Sequence, residues 1–97
     1  MYNKTHFLHF FADPAFINVL DFLIENNLGQ YTKKEVARNS KISVITLRDV
    51  WKKLQHFDLI FHTKIINGKK YYRTNNENQI IIHLIHLNFH ISKNSRR

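Results

Sequence analysis

The chain has 97 residues, no cysteine, and 15 lysines and arginines against 7 acids, for a formal charge of +8 at pH 7. That length supports one domain with its own core, and the lack of cysteine excludes disulfide frameworks, thiol nucleophiles and cysteine-ligated zinc and fits a reducing compartment, the cytoplasm. The positive balance points to a polyanion, nucleic acid before an anionic membrane surface.

The first fourteen residues lack an apolar segment followed by a small-residue cleavage site, so they do not read as an export signal. Asp13-Pro14 then supplies a helix cap and a first-turn proline, and Phe16, Leu20, Leu23 and Ile24 recur at helical spacing until Asn26-Asn27-Leu28-Gly29 stops the run. A short strand is expected at Gln30 to Thr32. Thr32-Lys33-Lys34-Glu35 is a capping box, with Tyr31 and Val36 placed to staple it, and the helix it starts ends near Asn39-Ser40. Ser43 caps a third helix whose inward stripe is Leu47, Val50, Trp51 and Leu54, with Ile42 in the turn before it.

From Leu59 the period becomes that of a strand. Asn67-Gly68 is a two-residue hairpin signal of type I′, which sets Ile66 opposite Lys69. That register puts Phe61, Thr63, Ile65, Lys70 and Tyr72 on one face and His62, Lys64, Ile66, Lys69, Tyr71 and Arg73 on a basic, outward face. Asn76 is the expected cap of a last helix from Gln79 to about Ile91, followed by a frayed basic tail at 93–97. The longest apolar run, residues 80–89, is too short and too rich in histidine to span a bilayer.

Charge divides along the chain. Asp13, Asp21 and Glu25 gather early, whereas Lys33, Lys34, Arg38, Lys41, Arg48, Lys52, Lys53, Lys64, Lys69, Lys70 and Arg73 fill the middle against Glu35, Asp49 and Asp58. The middle is the expected binding region. An enzyme is not expected: the acids are scattered, there is no glycine-rich phosphate loop, and no spacing suggests a nucleophile with its base.

The order helix, short strand, helix, helix, hairpin, helix is that of a winged helix-turn-helix. The stretch YTKKEVARNSKISVITLRDVWKKLQHFDLI followed by NGKKYYRTNNEN resembles the winged-helix transcription regulators of bacteria and archaea, of the GntR, ArsR and MarR type, over roughly residues 14 to 90. Two positions depart from the pattern: regulators of the GntR type often carry a basic residue where this chain has Val44, and a glycine where it has Asp58. The resemblance implies a mostly helical α+β fold, with a three-helix core, a two-stranded wing and a C-terminal helix. It also implies a sequence-specific regulator of transcription that binds double-stranded DNA.

On that reading the amino end of the recognition helix, about 43–57, enters the major groove. Val44 and Ile45 would pack on thymine methyls, and Arg48 would reach guanine or a phosphate. Ser43 and Thr46 would offer hydroxyls, Lys52 and Lys53 would touch the backbone, and Thr32, Lys33 and Lys34 would meet a phosphate at the second helix's positive end. Lys69 and Lys70 on the wing, about 61–74, would contact the backbone or minor groove. The alternative is a winged-helix module that binds a protein or RNA.

The last helix carries two apolar stripes, Ile80, Leu84, Leu87 and Ile91 against Ile81, Ile85 and Phe89, more than one domain easily buries. A homodimer is therefore expected, through that helix (about 76–91) and the N-terminal segment, with Phe7, Phe10, Phe11 and Phe22 adding apolar surface. The other possibility is that the N-terminal segment covers one stripe within the chain. Residues 1–92 would form the single domain. His83, His86 and His90 share a side of the helix, but no carboxylate or cysteine supports them; they read as histidines at the rim of a dimer interface, with no metal or cofactor expected.

Overall fold

The computed structural model describes residues 5–95. The elements are α1 (His6–Phe10), α2 (Pro14–Glu25), α3 (Lys33–Ser40), α4 (Val44–His56), β1 (Ile60–Ile66), β2 (Lys69–Thr74) and α5 (Gln79–Ser95). Among the described residues no helix is long and apolar enough to cross a membrane.

Local chemistry sets most of the boundaries. Asp13 caps α2 by accepting from the Ala15 N–H at 3.0 Å, with Pro14 in the first turn. In the capping box of α3 the Thr32 hydroxyl accepts from the Glu35 N–H at 3.2 Å, and the Glu35 carboxylate accepts from the Thr32 N–H at 2.8 Å. The helix ends at Lys41 in the left-handed region (φ 58°), and Ser43 starts α4 by accepting from the Thr46 N–H at 3.0 Å. Helices α2, α3 and α4 enclose a core of Phe16, Val19, Leu20, Leu23, Val36, Leu47, Val50, Trp51 and Leu54. Leu59, Ile60, Tyr72 and Ile81 close it from the hairpin and α5.

Asp58, the departure from glycine noted above, is left-handed at φ 58°. Short polar side chains tolerate that conformation better than most, and the Asp58 carbonyl is held by the side-chain amides of Asn75 (2.9 Å) and Asn78 (3.1 Å).

The hairpin turns at Asn67 (φ 51°) and Gly68 (φ 78°), and Ile66 pairs with Lys69 as expected. The two face lists need correction. A β-bulge at Thr63 shifts the register, so His62 rather than Thr63 faces Tyr72, and Phe61 faces Arg73. One extra residue moves everything beyond it to the other side of the strand. Phe61 therefore joins Lys64, Ile66, Lys69, Tyr71 and Arg73, while His62 joins Tyr72 with its ring 5.5 Å away. The Thr63 hydroxyl donates to Gln30 Oε1 at 2.8 Å and lies 3.2 Å from the Tyr71 carbonyl oxygen, which fixes the bulge. The strand expected at Gln30 to Thr32 is a single bridge, Tyr31 with Tyr72.

Beneath that bridge the Tyr31 hydroxyl donates to Thr74 Oγ1 (2.8 Å), which donates to the Leu23 carbonyl (2.9 Å), joining α2, the bridge and the wing through a buried polar chain. Burial pushes the Tyr31 phenol up to about 12, against the smaller downward pulls of the Thr74 hydrogen bond and Arg73.

The cap of α5 is Asn78, not Asn76: its Oδ1 accepts from the Ile80 (2.8 Å) and Ile81 (3.3 Å) N–H groups. Asn76 instead accepts from the Asn27 side-chain amide and donates its own amide to the Asn27 backbone carbonyl. The helix continues past Ile91 to Ser95, so residues 93–95 of the expected tail are helical; Arg96 and Arg97 lie outside the described residues. Ile81 is fully buried and Ile80, Leu84 and Ile85 pack against the core, whereas Leu87, Phe89 and Ile91 are exposed.

The N-terminal segment forms the unexpected α1, capped by Thr5. Phe10 packs edge-on against Phe16 (5.0 Å) and Phe57 (5.1 Å), and Phe22 against Tyr31 (5.2 Å). Phe10, Phe11 and Phe22, expected at a subunit interface, thus cover the chain's own core, and of that group Phe7 is the one left 70% exposed.

Candidate nucleic-acid interface

The leading turn of α4 is open. Ser43, Val44, Ile45, Thr46 and Arg48 are all exposed, Val44 at 60% and Ile45 at 73%, while Leu47 between them is buried. The helical period separates the two sets: the stripe Leu47, Val50, Trp51, Leu54 holds the helix down and leaves the opposite face free. The Ser43 and Thr46 hydroxyls bond each other at 2.9 Å, so the cap orients both.

Two lysine-lined grooves are present, and the one along α4 includes residues of this turn. One runs along α4 and is lined by Lys33, Val44, Arg48, Trp51, Lys52 and Gln55. The other separates α3 from the wing; Lys33, Lys34 and Arg38 form one wall and Lys69 and Lys70 the other. Lys33 belongs to both. Its ammonium sits 5.1 Å from the Trp51 ring centroid and 5.9 Å from that of Tyr72, and the two rings meet edge-on at 4.9 Å. A cation–π contact at an exposed site contributes about 0.5–1 kcal/mol, enough to bias Lys33 toward the junction of α3, α4 and the wing.

The expected contact residues are therefore mostly brought together. Lys33, Lys34, Ser43, Val44, Ile45, Thr46, Arg48, Lys52, Lys69 and Lys70 lie on α3, the leading side of α4 and the wing tip, all exposed. Thr32 is half-buried, and its hydroxyl is engaged with Glu35, accepting from the backbone and lying 3.3 Å from the carboxylate; its work is to hold the start of α3. Lys53 departs from the expectation. Its ammonium donates to the Phe10 carbonyl at 2.7 Å and sits 3.9 Å from the Phe16 ring centroid, which turns it toward α1. Adjacent residues on a helix point about 100° apart, and that rotation separates Lys52 from Lys53.

Arg38 was not among the expected contacts. It follows Lys34 by one turn and faces the wing lysines across the groove; the i, i+4 spacing of the two cations was the available signal. Among the described residues no group of three or more histidines, cysteines or acids is placed to hold a metal ion.

No protein-family model matches the sequence, and no curated protein matches it. Solved structures do resemble it. MepR, a transcription regulator of the Staphylococcus aureus multidrug efflux pump MepA, superposes with a TM-score of 0.68 at 12% identity over 92% of this chain and 66% of its own. NolR from Sinorhizobium fredii gives 0.66 at 17% identity, over 94% of this chain and 96% of its own. A cysteine-to-serine mutant of ZitR from Lactococcus lactis, solved in complex with DNA, gives 0.57 at 20% identity, over 80% and 56%. This chain thus spans about two thirds of MepR and little more than half of ZitR. At such identities the likeness is one of architecture, and the architecture is the winged helix-turn-helix.

Proposed function

We propose that this protein is a sequence-specific regulator of transcription that binds double-stranded DNA, with α4 in the major groove and the tip of the β1–β2 wing on the backbone or minor groove. The observation that carries this reading is the open leading turn of α4, where Val44, Ile45 and Arg48 stand exposed and Val44 and Arg48 share a groove with Lys33 and Lys52. Branched apolar side chains on such a turn suit thymine methyls, and an arginine one turn on suits guanine O6 and N7. Lys33, Lys34, Arg38, Lys52, Lys69 and Lys70 supply the cations that fix register on phosphates without reading sequence. The ZitR mutant solved with DNA supports the reading by analogy of fold.

Residues 1–92 act as one domain and the protein as a homodimer in this proposal. Leu87, Phe89 and Ile91 at the free end of α5, with Phe7 of α1, offer exposed apolar surface to a second copy. A two-fold pair presents two recognition helices to half-sites about one helical turn apart. Its setting is the cytoplasm, and no catalysis is assigned to it.

Selection of bound duplexes from a random pool, with the size of the free and bound protein measured in solution, tests this. A pseudo-palindromic consensus bound by a dimer is expected. Equal affinity for unrelated duplexes at moderate salt removes the sequence-specific reading.

A further inference from the structure

The wing has a second face, from which the duplex reading takes only Lys69. Cross-strand partners in an antiparallel ladder share a side, so the register places Phe61 with Arg73, Tyr71 with Lys64 and Ile66 with Lys69 on the side away from the buried Ile60, Tyr72 and Thr74. Each pair sets a ring or branched chain beside a cation. Phe61 is 45% exposed, Ile66 is exposed and Tyr71 is half-buried. No acid occurs between Leu59 and Asn76. Without the bulge at Thr63 the rings of Phe61 and Tyr71 would lie on opposite faces; with it they are diagonal neighbours, roughly 7–8 Å apart at the backbone.

We propose that this outward face of the wing binds single-stranded, pyrimidine-rich DNA, with bases stacking on Phe61 and Tyr71 and phosphates meeting Lys64, Lys69 and Arg73. Flat rings alternating with cations are what a single strand requires, because every base has a π-face and every linkage a charge. Arg73 is already steadied by a 3.2 Å bond to the Leu28 carbonyl, which spends one donor and aims the rest of the guanidinium. Ile66 and Phe61 give apolar contact to a thymine methyl. The Thr63 hydroxyl is committed to Gln30, so Tyr71 supplies the one neutral hydroxyl on the face, a poor provision for reading ribose 2′-hydroxyls; this favours DNA over RNA. A peptide would instead find the open edge of β1, where backbone groups are free to pair.

Phe61 is the residue to vary because it takes no part in the duplex reading, whereas Lys69 serves both and Tyr71 also lines the groove between α3 and the wing. The test uses the full chain and the anisotropy of labelled short oligo(dT), oligo(rU) and a duplex at one salt concentration. Oligo(dT) is expected to bind more tightly than oligo(rU); Phe61→Ser is expected to weaken oligo(dT) roughly tenfold and Phe61→Trp to preserve it, both with duplex affinity unchanged. Arg48→Ala should do the converse. Should Phe61→Ser fail to fold, photocrosslinking of the wild-type chain to iododeoxyuridine-substituted oligo(dT) replaces it, with Phe61 or Tyr71 the expected points of attachment. The proposal is overturned if oligo(rU) binds as tightly as oligo(dT), if poly-glutamate competes as well as the oligonucleotide, if Phe61→Ser changes nothing, or if the crosslinks fall only on α4.

Discussion

The two ends of α4 are built on opposite plans. At its start Ser43, Val44, Ile45, Thr46 and Arg48 touch little beyond their own turn, and two branched side chains stand in solvent. At its finish Lys53 caps the carbonyls of α1, Phe57 packs against Phe10, and Leu54 is fully buried. One helix thus has a fixed end and an offered end. Substitutions at the fixed end should be read in stability and those at the offered end in recognition, although the residues concerned are a few positions apart.

That division can be broken experimentally. The largest effect is expected at the fixed end: Leu54→Ala removes a fully buried side chain and should cost about 2–5 kcal/mol of unfolding free energy, against less than about 0.5 kcal/mol for the exposed Ile45→Ala. Denaturant titrations of both check this, and equal losses would erase the distinction.

The buried polar chain that ties the wing to α2 should carry its own pH signature. Tyr31 is raised from 10.0 to about 12, so between those values the unfolded chain gives up a proton that the folded chain keeps, and stability falls as pH rises. The full window is worth on the order of 2–3 kcal/mol; it should be seen as an alkaline loss in thermal melts, absent below pH 10 and flattened by Tyr31→Phe.

Arg48→Ala comes next, with about 1–3 kcal/mol of discrimination lost at one base pair of the selected site and an unchanged melting temperature. A fall in melting temperature would place Arg48 with the scaffold instead. The smallest effect sharpens the comparison most, since it concerns neighbours. Lys52→Ala should lower the salt slope of duplex binding by about 1 with stability unchanged, whereas Lys53→Ala should leave the slope alone, destabilise the fold by about 1–2 kcal/mol through the lost charged hydrogen bond, and speed amide exchange in α1.

Much of the fold could be read from local chemistry. Asp13-Pro14, Thr32 with Glu35, and Ser43 each bind a backbone N–H within their own turn, so the helix starts followed from residues two or three positions apart. The inward stripe of α4 followed from the helical period. The wing register held from the turn as far as Lys64 and failed at Thr63, because the bulge is stabilised by Gln30, 33 residues earlier. Asn76 was the expected cap of α5, but nothing local separates it from Asn75 and Asn78; contacts with Asp58, Asn27 and Phe57 assign their separate tasks.

The candidate interface divides in the same way. That Val44, Ile45 and Arg48 face outward was legible, since they fall off the stripe of Leu47, Val50 and Leu54. That Lys53 turns inward was not, because its partners are carbonyls of a short helix whose formation depends on Phe10 meeting Phe16 and Phe57. Nor was the reach of Lys33 across to Trp51 and Tyr72.

What the sequence determined by itself is whatever acts within one or two turns of chain: caps, stripes, the type I′ turn and the sign of the charge. What the tertiary structure decided is which cations remain free, which aromatic residues share a face and where the N-terminal phenylalanines go. Those outcomes depend on groups that are distant in sequence and meet only when the helices and the wing have closed around the core, and a local pattern carries no record of a partner 30 or 40 residues away.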